Sequence, residues 1–302
     1  MLKKTTLIIA LTASSLTFAA DALVNADWLA NNSDVAILDI RSLDAYMAGH
    51  IPGALSTPYA EGWRATVNGV SGQLPHLPVI EQKIAALGID ATSHVVIVTS
   101  GTSASDYSAA SRVYWTFKVL GHEEVSILDG GTKAWQMGDY TISTSYQTPT
   151  TGEFSASMQS DILATTEFLK DRLETVQTID SRSADYFDGT EKFSGARVAG
   201  TLPGSANLNS GTVFTGTDVL YFKKNAELEE LANTAGVDLN ASYTATFCNT
   251  GHLGATNWFV LSELLEVPNV ALYDGSIVEW TADADRPVQT AKRGLGKLFG
   301  WL

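Results

Sequence analysis

The sequence predicts an α/β fold made of two tandem domains, each a mainly parallel sheet flanked by helices on both faces. Three observations carry that prediction: a set of blocks that occurs twice in one order, short apolar strands alternating with helices, and a composition fit for two cores. The 302 residues amount to about two domains at ~100–200 residues apiece. Of them 45% are hydrophobic, so each half can bury a core. Only 17% are charged, too few for a disordered or coiled-coil chain.

The repetition is direct. AILDIRSLDAY (Ala36–Tyr46) matches QTIDSRSADY (Gln177–Tyr186), placing Asp39 over Asp180 and Arg41 over Arg182. GHIPGA (Gly49–Ala54) matches GTLPGS (Gly200–Ser205), and ILDGGTKAW (Ile127–Trp135) matches LYDGSIVEW (Leu272–Trp280). The last pair sets Asp129 over Asp274 and Trp135 over Trp280. Blocks recurring in one order at similar spacing mark an internal duplication. The second copy carries an extra loop after Tyr186.

The chain opens with Lys3 and Lys4, an uncharged apolar run from Leu7 to Ala20, and small residues at Ala19, Ala20 and Ala22. Residues 1–22 therefore read as a signal peptide, too short for a stable membrane span and without a cysteine to take a lipid. A soluble, exported monomer in the periplasm is the expectation. The first domain, 23–142, begins with a short helix over Asn25–Asn31. Strands follow at Val35–Asp39, Val95–Thr99 and Val125–Leu128, with helices at Val79–Leu87 and Ala109–Leu120. The Thr-, Ser-, Pro- and Gly-rich residues 143–157 read as an exposed linker. In the second domain, 158–285, strands recur at Val176–Asp180, Tyr243–Phe247 and Val270–Tyr273, with helices at Ala226–Ala235 and Ala255–Leu265. Apolar strands without polar alternation, separated by helices, indicate a parallel sheet buried on both faces. Residues 286–302 form a C-terminal tail. Its AKRGLGKLFGWL (Ala291–Leu302) reads as loosely docked chain rather than a membrane-surface helix.

Nineteen Lys and Arg against 33 Asp and Glu leave a net charge of −14. Such a field repels phosphate backbones and excludes sequence-independent nucleic-acid binding. One cysteine excludes an internal disulfide and any Cys-rich zinc or iron–sulfur site.

In open α/β sheets ligands bind beyond the carboxyl ends of the strands. The strand Tyr243–Phe247 ends on Cys248, the loop CNTGHLG follows, and a helix is expected from near Ala255. Cysteine reacts as the thiolate, so its ordinary pKa of about 8.5 has to fall. A helix N-terminus favours negative charge, and Gly251 and Gly254 let loop amides turn inward as an anion nest. A lone cysteine is most often buried and inert. Strand end, glycines and helix start together argue for chemistry.

These motifs resemble the rhodanese family: DIR and DSR at Asp39–Arg41 and Asp180–Arg182, GHIPGA and GTLPGS, CNTGHLGA at Cys248–Ala255, and both D-G-x-x-x-x-W blocks. The resemblance implies a tandem-domain sulfurtransferase that moves sulfur from thiosulfate or 3-mercaptopyruvate to cyanide or a thiol, without cofactor or metal. Cys248 would carry a persulfide, cradled by Asn249, Thr250, Gly251, His252, Leu253 and Gly254. A protein thiol stays open as acceptor. The first copy lacks the thiol, with Ser100 in its place by counting from the strand end and Ser103 by counting back from Asp129. It is expected to be inactive, and either structural or a help in shaping the cleft.

Two departures argue against a strong thiosulfate preference. Thiosulfate-preferring members commonly place Lys or Arg in the loop, where this chain has only His252 as a side chain able to turn cationic. Some members place an Arg where Tyr186 stands. Lys192 and Arg197 of the extra loop are the expected replacement cations. His252 reads equally as an anion or proton contact and as a solvated loop residue. Arg182, with Asp180, either touches substrate or braces backbone, and its recurrence as Arg41 with Asp39 favours the brace. Trp258 reads as core and His50 as outside the chemistry. A cysteine phosphatase would need Arg six residues after the thiol, where Gly254 stands. A non-enzymatic sulfur or selenium carrier, or a partner-binding module, is the alternative.

Overall fold

The computed structural model describes residues 20–290. Most of the expected signal peptide and the tail Ala291–Leu302 lie outside the described residues. The first domain runs β1 (Leu23–Val24), α1 (Ala26–Asn31), β2 (Ala36–Asp39), α2 (Leu43–Ala48) and β3 (Leu55–Ser56). A hairpin, β4 (Ala65–Val67) and β5 (Val70–Gln73), precedes α3 (Leu77–Ala86), β6 (Val95–Val98), α4 (Ala104–Val119), β7 (Val125–Leu128) and α5 (Gly131–Met137). The second domain runs β8 (Leu163–Ala164), α6 (Thr166–Lys170), β9 (Gln177–Asp180), α7 (Ala184–Asp188) and β10 (Ala206–Asn207). A second hairpin, β11 (Phe214–Thr215) and β12 (Tyr221–Phe222), precedes α8 (Asn225–Thr234), β13 (Thr244–Phe247), α9 (His252–Phe259), β14 (Val270–Tyr273) and α10 (Ser276–Ala282).

Each domain holds one five-stranded sheet, in the orders β1-β7-β6-β2-β3 and β10-β9-β13-β14-β8. Every pairing within them is parallel. The central strands, Val-Val-Ile-Val in β6 and Thr-Ala-Thr-Phe in β13, are buried along their whole length. That is the condition of strands covered on both faces by helices. Side chains that alternate along β6 go to different cores. Val95 and Ile97 join a cluster that continues across the domain boundary to Ile179, Trp258 and Leu272, while Val96 and Val98 face an outer cluster with Tyr46 and Trp135. The second sheet has its own outer cluster around Phe247, Tyr273 and Trp280.

The two domains meet through equivalent elements. Ser108 and Thr256, each four residues past the start of its helix, touch through their hydroxyls at 2.8 Å. Each hairpin reaches over the other domain's strand ends. From the first, Leu74 N donates to Asp274 Oδ2 at 2.6 Å. From the second, Phe222 N donates to Asp129 Oδ1 and Leu220 N to the Gly101 carbonyl.

Three local expectations are corrected. The helix expected from Ala109 starts at Ala104, because the Ser103 hydroxyl caps α4 by accepting from Asp106 N at 3.1 Å. The helix after Cys248 starts at His252 rather than Ala255, with Gly251 at φ 73° as its N-cap. It ends in a π-helical turn over Val260–Leu264. The expected linker is largely exposed yet tied to the first domain, Gly152 N donating to the Ala85 carbonyl and Ser157 N to that of Leu120.

Candidate active site

Cys248 follows β13 and is 1% exposed. The loop that starts with it is stitched to the β14–α10 turn. Ser276 Oγ accepts from Cys248 N at 3.1 Å and from Gly251 N at 3.0 Å, and donates to the Tyr273 carbonyl at 2.9 Å. Ile277 N and Val278 N donate to the carbonyls of Cys248 and Asn249. Ser276 holds φ at 51°, a left-handed conformation that disfavours side chains, and the three hydrogen bonds offset that strain. His252, Leu253 and Gly254 form the first turn of α9, where amides lack intrahelical acceptors and face anions. The loop can therefore hold a sulfur anion by backbone alone.

Why glycine stands at 251 is clear from its surroundings. A Cβ there would lie 2.5 Å from Arg112 Nη1 and 2.8 Å from the Asp274 carbonyl oxygen. Arg112 belongs to α4 of the first domain and is fully buried. It pairs with Asp274 Oδ1 at 2.6 Å and donates to the Gly251 carbonyl at 3.3 Å. Its Nε and Nη2 meet no hydrogen-bond partner among the described residues.

Three more residues of the first domain close over the loop. Arg64 donates from Nη2 to both Thr250 O and Thr250 Oγ1 at 2.7 Å, and from Nε to the Gly72 carbonyl. Tyr59 OH meets His252 Nδ1 at 3.0 Å, and Ser105 Oγ meets His252 Nε2 at 3.3 Å. Burial, reinforced by Arg64 and Arg112, lowers the His252 pKa to about 3. The ring is thus neutral near pH 7, and His252 is not the loop's cation. Two cations at the loop, Arg64 and Arg112, come from the other domain.

Lys192 and Arg197 do not fill that place. Lys192 donates to the Ala196 carbonyl at 2.8 Å, and Arg197 to that of Thr281 at 2.9 Å. Arg182 is a brace. Its Nε and Nη2 grip Asp180 at 2.9 and 2.6 Å and the Gly200 carbonyl at 2.8 Å, and Nη1 reaches Asn249 Oδ1 at 3.3 Å. Arg41 holds Asp39 and Gly49 in the same way. Trp258 is core, its Nε1 donating to the Val270 carbonyl. His50 is buried and stacks on the ring of Tyr46, with 3.7 Å between the ring centroids.

The degenerate site is also relocated. Thr132 N and Lys133 N donate to Thr99 O and Ser100 O, mirroring the bonds from Ile277 N and Val278 N to Cys248 and Asn249. Thr99 therefore stands in the thiol's place, not Ser100 or Ser103. Ser103 is the helix cap, matching Gly251. Gly131, at φ 55°, matches Ser276, so the hydroxyl that ties the active loop is missing from the first copy.

The family profile for the rhodanese-like domain matches this chain twice, over residues 25–137 and 165–283. The human 3-mercaptopyruvate sulfurtransferase is 32% identical, over 91% of this chain and 97% of that one. The chicken (Gallus gallus) thiosulfate sulfurtransferase is 30% identical, over 86% and 93%, and the Escherichia coli K12 3-mercaptopyruvate sulfurtransferase 30%, over 89% and 98%. Among solved structures, the anaerobic ergothioneine biosynthesis enzyme of Chlorobium limicola, in complex with trimethyl histidine, superposes with a TM-score of 0.76. At 23% identity, over 89% of this chain and 70% of that one, it is a likeness of fold.

Proposed function

The chain belongs to the rhodanese family, with two rhodanese-like domains in tandem, and is a sulfurtransferase, and we propose that Cys248 carries the sulfur. The observation that supports this reading is the thiol's position between the end of β13 and the start of α9, on a loop to which Tyr59 and Arg64 of the first domain are bonded.

Transfer proceeds by double displacement. The Cys248 thiolate attacks the outer sulfur of thiosulfate, the S–S bond breaks towards sulfite, and a persulfide anion remains on Cys248. With 3-mercaptopyruvate the C–S bond breaks instead. The electron pair goes to carbon, which takes the thiol proton, and pyruvate leaves. In the second half, a nucleophile such as cyanide or a thiolate attacks the outer sulfur and Cys248 departs as thiolate. Amides of His252, Leu253 and Gly254 stabilise the sulfur anion. Arg64 offers positive charge to the donor's carboxylate or sulfonate, while Arg112 and Ser276 hold the loop in shape. The test is steady-state transfer to cyanide at varied donor and acceptor. Parallel double-reciprocal lines and a dead Cys248→Ser support the reading; intersecting lines, or a Cys248→Ser variant that turns over, contradict it.

We also propose export with signal cleavage between Ala20 and Leu23, which leaves β1 intact. N-terminal sequencing of protein from the native host is expected to start in that window. A chain still carrying Lys3 and Lys4 contradicts it.

A further inference from the structure

A donor has to touch the sulfur of Cys248, yet that residue is 1% exposed. Two side chains of the first domain are bonded across its loop: Arg64 to Thr250, two residues past the thiol, and Tyr59 to His252. Beside the Arg64–Thr250 contact lies a cavity of about 390 Å³ with walls from both domains. Tyr59, Arg64, Ser71 and Gly72 line it from the first, Thr250 and Phe193 from the second, and Cys248 lies outside its lining. The volume is within the range of small-molecule sites. Arg64 is the one charged residue in that wall among the described residues.

We propose that Arg64 is a latch that selects sulfur donors by charge. A donor's carboxylate or sulfonate draws the guanidinium off Thr250, the hairpin β4–β5 lifts, and the thiol opens; a neutral sulfur compound leaves the latch shut. The inference rests on Cys248 as the sulfur carrier.

The exchange is favourable on hydrogen-bond strength. Thr250 offers Arg64 a neutral carbonyl and a neutral hydroxyl. Bonds from a guanidinium to an anionic oxygen are about twice as strong as those between neutral groups. The hairpin is built to follow. Its strands pair only with each other, and a two-stranded hairpin is marginally stable alone. It is tied to the second domain at both ends, by Arg64 on Thr250 and by Leu74 N on Asp274 Oδ2. Gly72, at φ 87°, shows how closely the latch is packed. A Cβ there would lie 2.0 Å from Arg64 Nη2 and 2.9 Å from Thr250 Cβ.

The test alkylates Cys248, the chain's one thiol, in the full-length protein with neutral iodoacetamide or anionic iodoacetate. Rates are compared on their alkaline plateaus, where the thiol is ionised in every variant. Free thiols react faster with iodoacetamide. In the wild type iodoacetate is expected to be the faster reagent, because only its carboxylate opens the latch. Gly72→Ala displaces Arg64 but keeps its charge, and Arg64→Met removes the guanidinium. In each variant that keeps a cooperative thermal transition, iodoacetamide alkylation is expected to rise by about tenfold or more. In Arg64→Met the preference for iodoacetate is expected to vanish. A wild type that reacts at least as fast with iodoacetamide overturns the proposal. So does a folded variant whose iodoacetamide rate has not risen, or an Arg64→Met that still prefers iodoacetate. Alkylation needs no sulfur transfer, so a wild type that gates its thiol in this way yet never takes up sulfur would instead sink the reading of Cys248 as carrier.

Discussion

Arg112 of the first domain and Asp274 of the second form an ion pair at 2.6 Å, with side chains 0% and 8% exposed. The same guanidinium reaches the Gly251 carbonyl, and the same carboxylate accepts from Leu74 N of the first domain's hairpin. A residue of the thiol-free copy therefore sits under the thiol-bearing loop. The first domain is part of the site.

Arg112→Met leaves Asp274 buried without its cation. Breaking a buried pair from one side costs about 3–5 kcal/mol. The variant should unfold at lower denaturant and lose most transfer activity, because Gly251 loses its support. Unfolding at the wild-type midpoint would show the pair to be unimportant.

Ser276 binds two loop amides at a backbone angle that favours glycine. Ser276→Gly relieves the strain and removes the acceptor, whereas Ser276→Ala removes the acceptor alone. With unmade hydrogen bonds costing about 1–3 kcal/mol per buried group, both should lose persulfide formation at least tenfold. Glycine is expected to be the more stable of the two. Full activity in Ser276→Gly would mean that the hydroxyl does not shape the loop.

Asp129 is the matching aspartate of the first copy. Burial pushes the Asp129 carboxyl up to about 6, with hydrogen bonds from Phe222 N and Tyr107 OH opposing the rise. A raised carboxyl pKa favours the protonated fold. Its stabilisation is present below about pH 4 and lost as pH rises through about 6. Asp129→Asn keeps a neutral acceptor at every pH. It should raise Tm at pH 8, by about 1–2 kcal/mol or several degrees, and leave it unchanged near pH 4. A gain of equal size at both values would contradict this account.

The duplicated blocks and the thiol at a strand end were legible because each is local in sequence. Strands such as Val95–Val98 read directly from their apolar runs. Residues arriving from the other domain were not. Tyr59, Arg64, Ser105 and Arg112 lie more than a hundred positions from the loop they touch, and Arg64 stands beside a hairpin whose strands are too short for a periodic signal. The start of α4 was missed because Ala-Ser-Asp-Tyr-Ser has little apolar periodicity and is held by a cap and by packing on α9. Thr99 was misplaced because the first copy's loop is one residue longer between strand and helix cap, which only the backbone bonds resolve. Ser276 could have been noticed, since D-G-S in the second copy faces D-G-G in the first.

The most direct test of the central claim is the intact mass of the protein after incubation with 3-mercaptopyruvate, followed by peptide mapping. The wild-type chain should gain one sulfur atom on the peptide that contains Cys248, lose it on adding cyanide, and gain none as Cys248→Ser. Sulfur retained by Cys248→Ser, or mapped to any other peptide, would contradict the account.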